Sequence, residues 1–222
     1  MTSNSETVDI SGPISLPENG NKPDSIVIFL HGYGSNGDDL IGLAPNWRAI
    51  LPNTIFLSPN APERTPMTAN GHQWFPLSTL AKEERESGVY KAAPTLNAYI
   101  DKILAEYGLS EDRLALVGFS QGTMMALHVA LRREKQIAAV LGYSGALAAP
   151  HKLVAECVTK PPVMLIHGDS DDVIPFPAMY EAVGALETMG LRVEKHISQN
   201  TPHGISPDGL QKGGIFLTRA FG

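Results

Sequence analysis

Five short apolar runs recur along this chain, at residues 25–30, 54–57, 113–117, 137–143 and 162–167, and a sixth at 192–197 alternates apolar with polar. The first, Ser-Ile-Val-Ile-Phe-Leu, shows no alternation, the pattern of a strand covered on both faces. Between the runs the apolar positions fall three and four apart. From Pro94, residues Leu96, Tyr99, Ile100, Ile103, Leu104 and Tyr107 predict a helix stopped by Gly108. Residues 123–132 predict another, Tyr180, Val183, Leu186 and Met189 mark a third before Gly190, and Leu210, Phe216, Leu217 and Phe221 a closing one. Strands alternating with helices predict an α/β fold: a mostly parallel sheet wrapped on both faces, with active residues at its carboxyl edge.

Residues 1–24 are polar and rich in Ser, Asn, Pro and Gly. Only Val8-Asp9-Ile10 and Ile14-Ser15-Leu16 alternate there, as an edge strand or hairpin does, and fraying is expected at the extreme N-terminus. Residues 25–222 then form one catalytic-size domain without repeat or linker. The longest stretch without a period runs from Pro59 to Tyr90, the kind of loop that is functional or mobile. Its charged Lys82-Glu83-Glu84-Arg85-Glu86 reads as a solvated helix face, His72 as exposed, and Trp74 and Phe75 as walls of a substrate pocket or as core. An apolar patch at Trp74 serves a homodimer equally well.

Composition narrows the class. Hydrophobic residues make up 43% and charged residues 18%, the balance of a chain that folds around a core. A net charge of −6, with no basic run longer than Arg132-Arg133, argues against a nucleic-acid partner. The lone Cys157 and an opening without a basic, apolar leader point to the cytoplasm. No apolar run approaches the roughly 20 residues that an integral membrane segment needs.

The chemistry gathers at Gly118-Phe119-Ser120-Gln121-Gly122, between a strand and a helix. A serine on such a turn is lifted to the sheet edge, with the glycines removing Cβ atoms that block the bend. The helix N-terminus and the Gln121 N–H favour negative charge beside Ser120, which attack on an ester carbonyl produces. Serine is a weak nucleophile without a histidine to take its proton and an acid to orient that histidine, in the chain order Ser, acid, His. Three acids follow the strand at 162–167: Asp171 is preferred, then Asp169, then Asp172. A calcium loop does not fit them, because Val173 breaks the ligand ladder. His203 lies in a loop before the last helix, whereas His196 lies within a strand and reads as structural or solvent-facing. His31, His128, His151 and His167 read as turn, surface or core residues, and no pair has zinc-site spacing, so no metal or cofactor is called for. Gly32, Gly34 and Gly37 also spell a dinucleotide fingerprint. The acidic residue expected at the end of the next strand is missing, and Asp38 and Asp39 stand where a pyrophosphate would bind. The same loop can instead aim the Tyr33 N–H at an oxyanion.

With these residues placed, the sequence resembles the phospholipase/carboxylesterase family of α/β hydrolases, which includes bacterial carboxylesterases and acyl-protein thioesterases. Leu30-His31-Gly32-Tyr33-Gly34 is similar to the family's oxyanion loop, and Gly118-Phe119-Ser120-Gln121-Gly122 to its elbow. His167-Gly168-Asp169-Ser170-Asp171 with Val173-Ile174-Pro175 resembles its acid loop, Pro202-His203-Gly204 its histidine loop, and Gly71-His72-Gln73-Trp74-Phe75 its segment near the substrate. The resemblance implies Asp171 as the acid, an α/β-hydrolase fold without a large lid, and a serine carboxylesterase. Its substrates would be small-molecule esters of short to medium acyl chains, with lysophospholipids or thioesters as variants. Acyl-protein thioesterase and dienelactone-type hydrolase are the enzymatic alternatives, the second opposed by serine where those relatives carry cysteine. A binding protein on an inactive hydrolase scaffold is the alternative outside catalysis.

Overall fold

The computed structural model describes residues 8–79 and 81–222, so the fraying expected at the extreme N-terminus lies outside the described residues. In chain order the elements are β1 (Ile14–Ser15), β2 (Ser25–Leu30), α1 (Gly37–Ile41), α2 (Ala44–Trp47), β3 (Thr54–Leu57), β4 (Glu63–Arg64), β5 (His72–Gln73), α3 (Lys82–Tyr107), β6 (Leu114–Phe119), α4 (Gln121–Ala130), β7 (Ala139–Tyr143), α5 (Leu153–Glu156), β8 (Val163–Gly168), α6 (Pro177–Thr188), β9 (Val193–Ser198) and α7 (Pro207–Phe221). Seven strands form one sheet in the order β1-β3-β2-β6-β7-β8-β9, parallel except for β1. Of the two N-terminal stretches that alternate, only the second pairs: Ile14 and Ser15 lie antiparallel to Leu57 and Phe56.

The unbroken apolar run of β2 has a direct structural cause. Ile26, Ile28 and Leu30 enter one core beneath α3, α4 and α6, while Val27 and Phe29 enter the other with Trp47, Phe56, Phe216 and Leu217. Every residue of β2 is buried, and its one polar side chain, Ser25, is paired at 2.7 Å with the Thr54 hydroxyl of β3. Each buried apolar side chain stabilises the fold by about 1.5–3 kcal/mol relative to exposure. At the far edge β9 is only half-buried, and its Glu194 pairs with Arg219 of α7 at 2.8 Å. Charge on an edge strand discourages pairing with another sheet.

One helix differs from expectation. α3 begins at Lys82 and runs through Pro94, twelve residues before the predicted start. The charged run forms its first turns, and Glu84 ties down the approach by accepting bonds from the Ser78 and Thr79 N–H groups at 2.7 and 2.9 Å. Those bonds and the hydroxyls of Ser78 and Thr79 draw the Glu84 carboxyl down to about 2. Buried Val89, Ala92, Leu96, Ile100 and Ile103 then make a continuous stripe across the proline. Packing on both sides of Pro94 outweighs the hydrogen bond its missing N–H forfeits. Among the described residues no helix is long and apolar enough to cross a membrane.

Candidate active site

Ser120 sits between the end of β6 and the first residue of α4, with φ 54° and ψ −114°. A non-glycine residue held there costs roughly 1–3 kcal/mol, which surrounding bonds must over-determine. They do so through two donors: Ser120 N–H donates to Tyr143 O at 2.9 Å, and the Thr123 hydroxyl shares its one proton between Gly118 O at 2.8 Å and Tyr143 O at 2.9 Å. A Cβ on Gly118 would overlap the Thr123 nitrogen, and one on Gly122 would overlap the Leu30 carbonyl oxygen. Both glycines of the motif are therefore required by space as well as by the bend.

Asp171 follows β8 and is buried, whereas Asp169 and Asp172 are exposed. Its Oδ1 accepts the Val173 and Ile174 N–H groups at 3.0 and 2.9 Å, and its Oδ2 lies 2.8 Å from Nδ1 of His203. Burial pushes this carboxyl up, but the bonds from His203 and the two amides outweigh it and hold it below the ordinary value. Because both carboxylate oxygens face Nδ1, at 2.8 and 3.0 Å, that nitrogen must donate. Nε2 of His203 is then left to accept a proton. The His203 ring lies 4.8 Å from that of Phe119, the residue preceding Ser120. No hydrogen bond joins Ser120 to His203 in this structure, which is common before substrate tightens such a site.

Behind Asp171 stands a residue that spacing did not single out. His167 is buried, with Nε2 2.7 Å from Ile174 O and 3.3 Å from Asp171 Oδ2. Burial lowers its pKa, and with two acceptors in front of Nε2 the proton of the neutral ring resides there. It pins the loop that carries the acid.

On the opposite side the Gly32–Gly34 loop passes over the elbow: a Cβ on Gly32 would lie 3.1 Å from the Phe119 ring and 3.3 Å from Ser120 Cβ. The N–H groups of Tyr33 and Gln121 have no acceptor among the described residues. The loop is fastened from below. His31, fully buried, accepts the Ala61 N–H on Nε2 at 2.9 Å and donates from Nδ1 to Gly32 O at 2.8 Å. Burial brings its pKa down to about 4, so the ring is neutral at pH 7. The Trp74 indole N–H donates to His31 O at 3.1 Å, and Gln121 closes the circuit by accepting the Trp74 N–H at 2.9 Å and donating to Phe75 O at 2.7 Å.

Trp74 and Phe75 pack as core, the second of the two roles expected of them. They are 1% and 0% exposed, and α3 packs so tightly on the Phe75 ring that a Cβ on Gly88 would overlap it. His72 is half-buried, with Nδ1 2.7 Å from Ala61 O, in place of the exposed position expected. His196 is structural, its Nε2 2.6 Å from Asp208 of α7.

The open space lies elsewhere. A groove of about 650 Å³ runs along Ala146–Ala148, Val173–Pro175 and the Ala178 and Ala182 face of α6, walled by Lys82, Glu83, Arg85 and Glu86 of α3. It shares its floor with the site: Val173 and Ile174 hold Asp171, and Ser144, just before Ala146, donates to Gly204 O beside His203 at 3.5 Å. No periodic signal announces this groove, because three separated segments of small residues build it.

A parallel sheet carrying a serine elbow, with an acid and a histidine from later loops at the same edge, defines an α/β hydrolase. The model of the phospholipase/carboxylesterase family matches residues 15–220. The chain belongs to that family. Acyl-protein thioesterase 1 of Schizosaccharomyces pombe is 32% identical over 158 residues, covering 67% of this chain and 69% of the relative. Esterase YpfH of Escherichia coli K12 is 28% identical over 188 residues, covering 84% and 78%. The crystal structure of esterase PE8 superposes with a TM-score of 0.92 at 42% identity, over 96% of this chain and 100% of the other. The protein is a serine hydrolase acting on ester bonds.

Proposed function

We propose that Ser120, His203 and Asp171 form the catalytic triad of a carboxylesterase whose acyl group, short to medium in length, lies in the groove beside Ile174. Ser120 Oγ attacks the ester carbonyl while Nε2 of His203 takes its proton. The alkoxide leaves as the alcohol with that proton, and water attacks the acyl-enzyme by the reverse relay. Asp171 holds the proton on Nδ1 and stabilises the imidazolium formed in each half-reaction. Tyr33 and Gln121 offer their free N–H groups to the oxyanion, each worth about 3 kcal/mol of barrier.

The observation that carries this assignment is the Asp171–His203 pair, which fixes a single imidazole tautomer, with the His203 ring 4.8 Å from that of Phe119 beside the strained serine. p-Nitrophenyl esters of graded acyl length test it. Activity is expected over short to medium chains, and Ser120→Ala should lower turnover by roughly 10⁶-fold. A variant that keeps the wild-type rate would remove Ser120 from the chemistry. Thioesters enter the same acyl-enzyme, and the name of the Schizosaccharomyces pombe relative supports them as a second substrate class.

A further inference from the structure

Every half-buried arginine of the chain carries an ion pair except one. Arg48 pairs with Glu18, Arg113 with Asp24, Arg132 with Glu156, and Arg133 with Asp101 and Glu111. Arg85, in the wall of the groove, has no anionic partner and no side-chain hydrogen bond among the described residues. Its Nε is shut off from solvent and unbonded. Nε of Arg48 and of Arg133 is unbonded too, but the rest of each guanidinium is neutralised by a carboxylate.

The lack of a partner is not for want of acids nearby. Glu83, Glu86 and Glu181 line the same groove. Glu86 instead stands 3.5 Å from Nε2 of His151, and neighbouring Glu84 turns away to Ser78 and Thr79. A guanidinium cannot shed its proton, so partial burial without an anion leaves a cost that a bound anion would relieve. Opposite it the floor is apolar, with Ala146, Leu147, Val173, Ile174 and Ala178. The volume of about 650 Å³ lies within the range of small-molecule sites. Glu83 and Glu181 repel an anion along the walls; of the two cations there, Lys82 is exposed to water and Arg85 is half-buried, so the guanidinium is the seat that gains more from an anion.

We propose that Arg85 determines specificity in this groove, and that it selects half-esters of dicarboxylic acids. The methylene chain lies on the apolar floor and the free carboxylate takes the guanidinium fork, the geometry in which arginine binds carboxylates best. The inference rests on the groove being the acyl site of the Ser120 esterase. Hydrolysis of such a half-ester consumes one water and releases the dicarboxylate and the alcohol, with no further reactant.

The test compares mono-p-nitrophenyl adipate with its methyl ester, which has the same chain without the charge, in the wild type, R85Q and R85K. The ratio of kcat/KM, half-ester over methyl ester, is expected to exceed one in the wild type. It should fall at least tenfold in R85Q, chiefly through KM, and recover in part in R85K. A wild-type ratio below one, or a ratio that R85Q leaves within twofold, overturns the assignment. If the wild type cleaves neither ester, the esterase reading of the groove fails. Calorimetric titration with adipate itself then decides the role of Arg85: binding lost in R85Q upholds it, and equal or absent binding to both proteins overturns it.

Discussion

Replacing Gln121 by leucine separates two tasks that meet in one residue. The backbone N–H, which we propose faces the oxyanion, survives the change; the side chain joins the elbow to the Trp74 segment and does not. Gln121 is fully buried, with Oε1 2.9 Å from the Trp74 nitrogen and Nε2 2.7 Å from the Phe75 oxygen. Leucine has a similar volume but leaves that donor and that acceptor unpaired where water does not reach. Each unsatisfied group costs about 1–3 kcal/mol, so the expected loss is about 2–6 kcal/mol. For a chain of this size that lowers Tm by roughly 5–20 °C. Because the Trp74 indole holds His31 O and thereby the Gly32–Gly34 loop, kcat should also fall, by about tenfold. Far-UV circular dichroism on heating gives Tm, and p-nitrophenyl butyrate hydrolysis well below Tm gives kcat and KM. A variant melting within about 1 °C of the wild type would show that the Trp74 and Phe75 groups find other partners. A change in KM with no change in Tm would mean that the side chain touches substrate instead.

Asp171→Asn should reduce kcat about 10⁴-fold near neutral pH while leaving KM within a fewfold, since the amide no longer holds the proton on Nδ1 of His203; initial rates settle it. Gly122→Ala places a methyl group into the Leu30 carbonyl oxygen, and an overpacking loss of about 1–3 kcal/mol or more should appear as a lower urea midpoint. The folded-state pKa values of His31 and His128 both lie near 4, lowered by burial, against 6.5 when unfolded. The unfolded chain therefore binds more protons between those values, and stability should fall as pH drops from about 6.5 toward 4. Each histidine contributes on the order of 3 kcal/mol or less. Urea unfolding at pH 7 and pH 4.5 measures the loss, and His128→Gln should flatten the slope; a variant slope identical to the wild type would show that the His128 ring is not held neutral by burial.

The parts legible in the sequence were those where one physical demand acts on consecutive residues. β2 and β3 match their runs residue for residue, because strands buried on both faces admit only apolar residues and polar ones paired with each other, as Ser25 and Thr54 are. The glycines around Ser120 were legible because a tight bend and two backbone contacts leave no alternative. The acid was narrowed to three neighbours by chain order and to Asp171 by the family resemblance; burial now separates it from exposed Asp169 and Asp172. The rest failed for identifiable reasons. Pro94 reads locally as a helix start, and no apolar period links it to the charged run read as a helix face, so the continuity of α3 through the proline was not legible. Trp74 and Phe75 look like pocket walls by chemistry, but their roles depend on Gln121 and Gly88, 47 and 13 residues away. Arg85 lies in a run that reads as a solvated face, and its lack of a partner exists only in three dimensions.

The two sides of the elbow are built by opposite rules, and the chemistry explains why. On the proposed oxyanion side His31, Trp74 and Gln121 are locked in buried hydrogen bonds, so Tyr33 and Gln121 N–H groups in that role would need no reorganisation when charge develops. On the proposed acyl side small and apolar residues from three segments leave a groove, and the walls keep the half-buried Arg85 uncommitted. A transition-state contact gains from rigidity, because any slack is lost directly from the barrier reduction. Recognition of the acyl chain gains from room and from a charge whose only available partner arrives with the substrate. Substitutions on the first side should thus move stability and kcat together, as at Gln121. Those in the groove should redistribute kcat/KM among substrates while the fold holds. A neutral residue in place of Arg85 that lowered Tm as far as Gln121→Leu does would contradict this division, since the guanidinium would then be shown to support the fold.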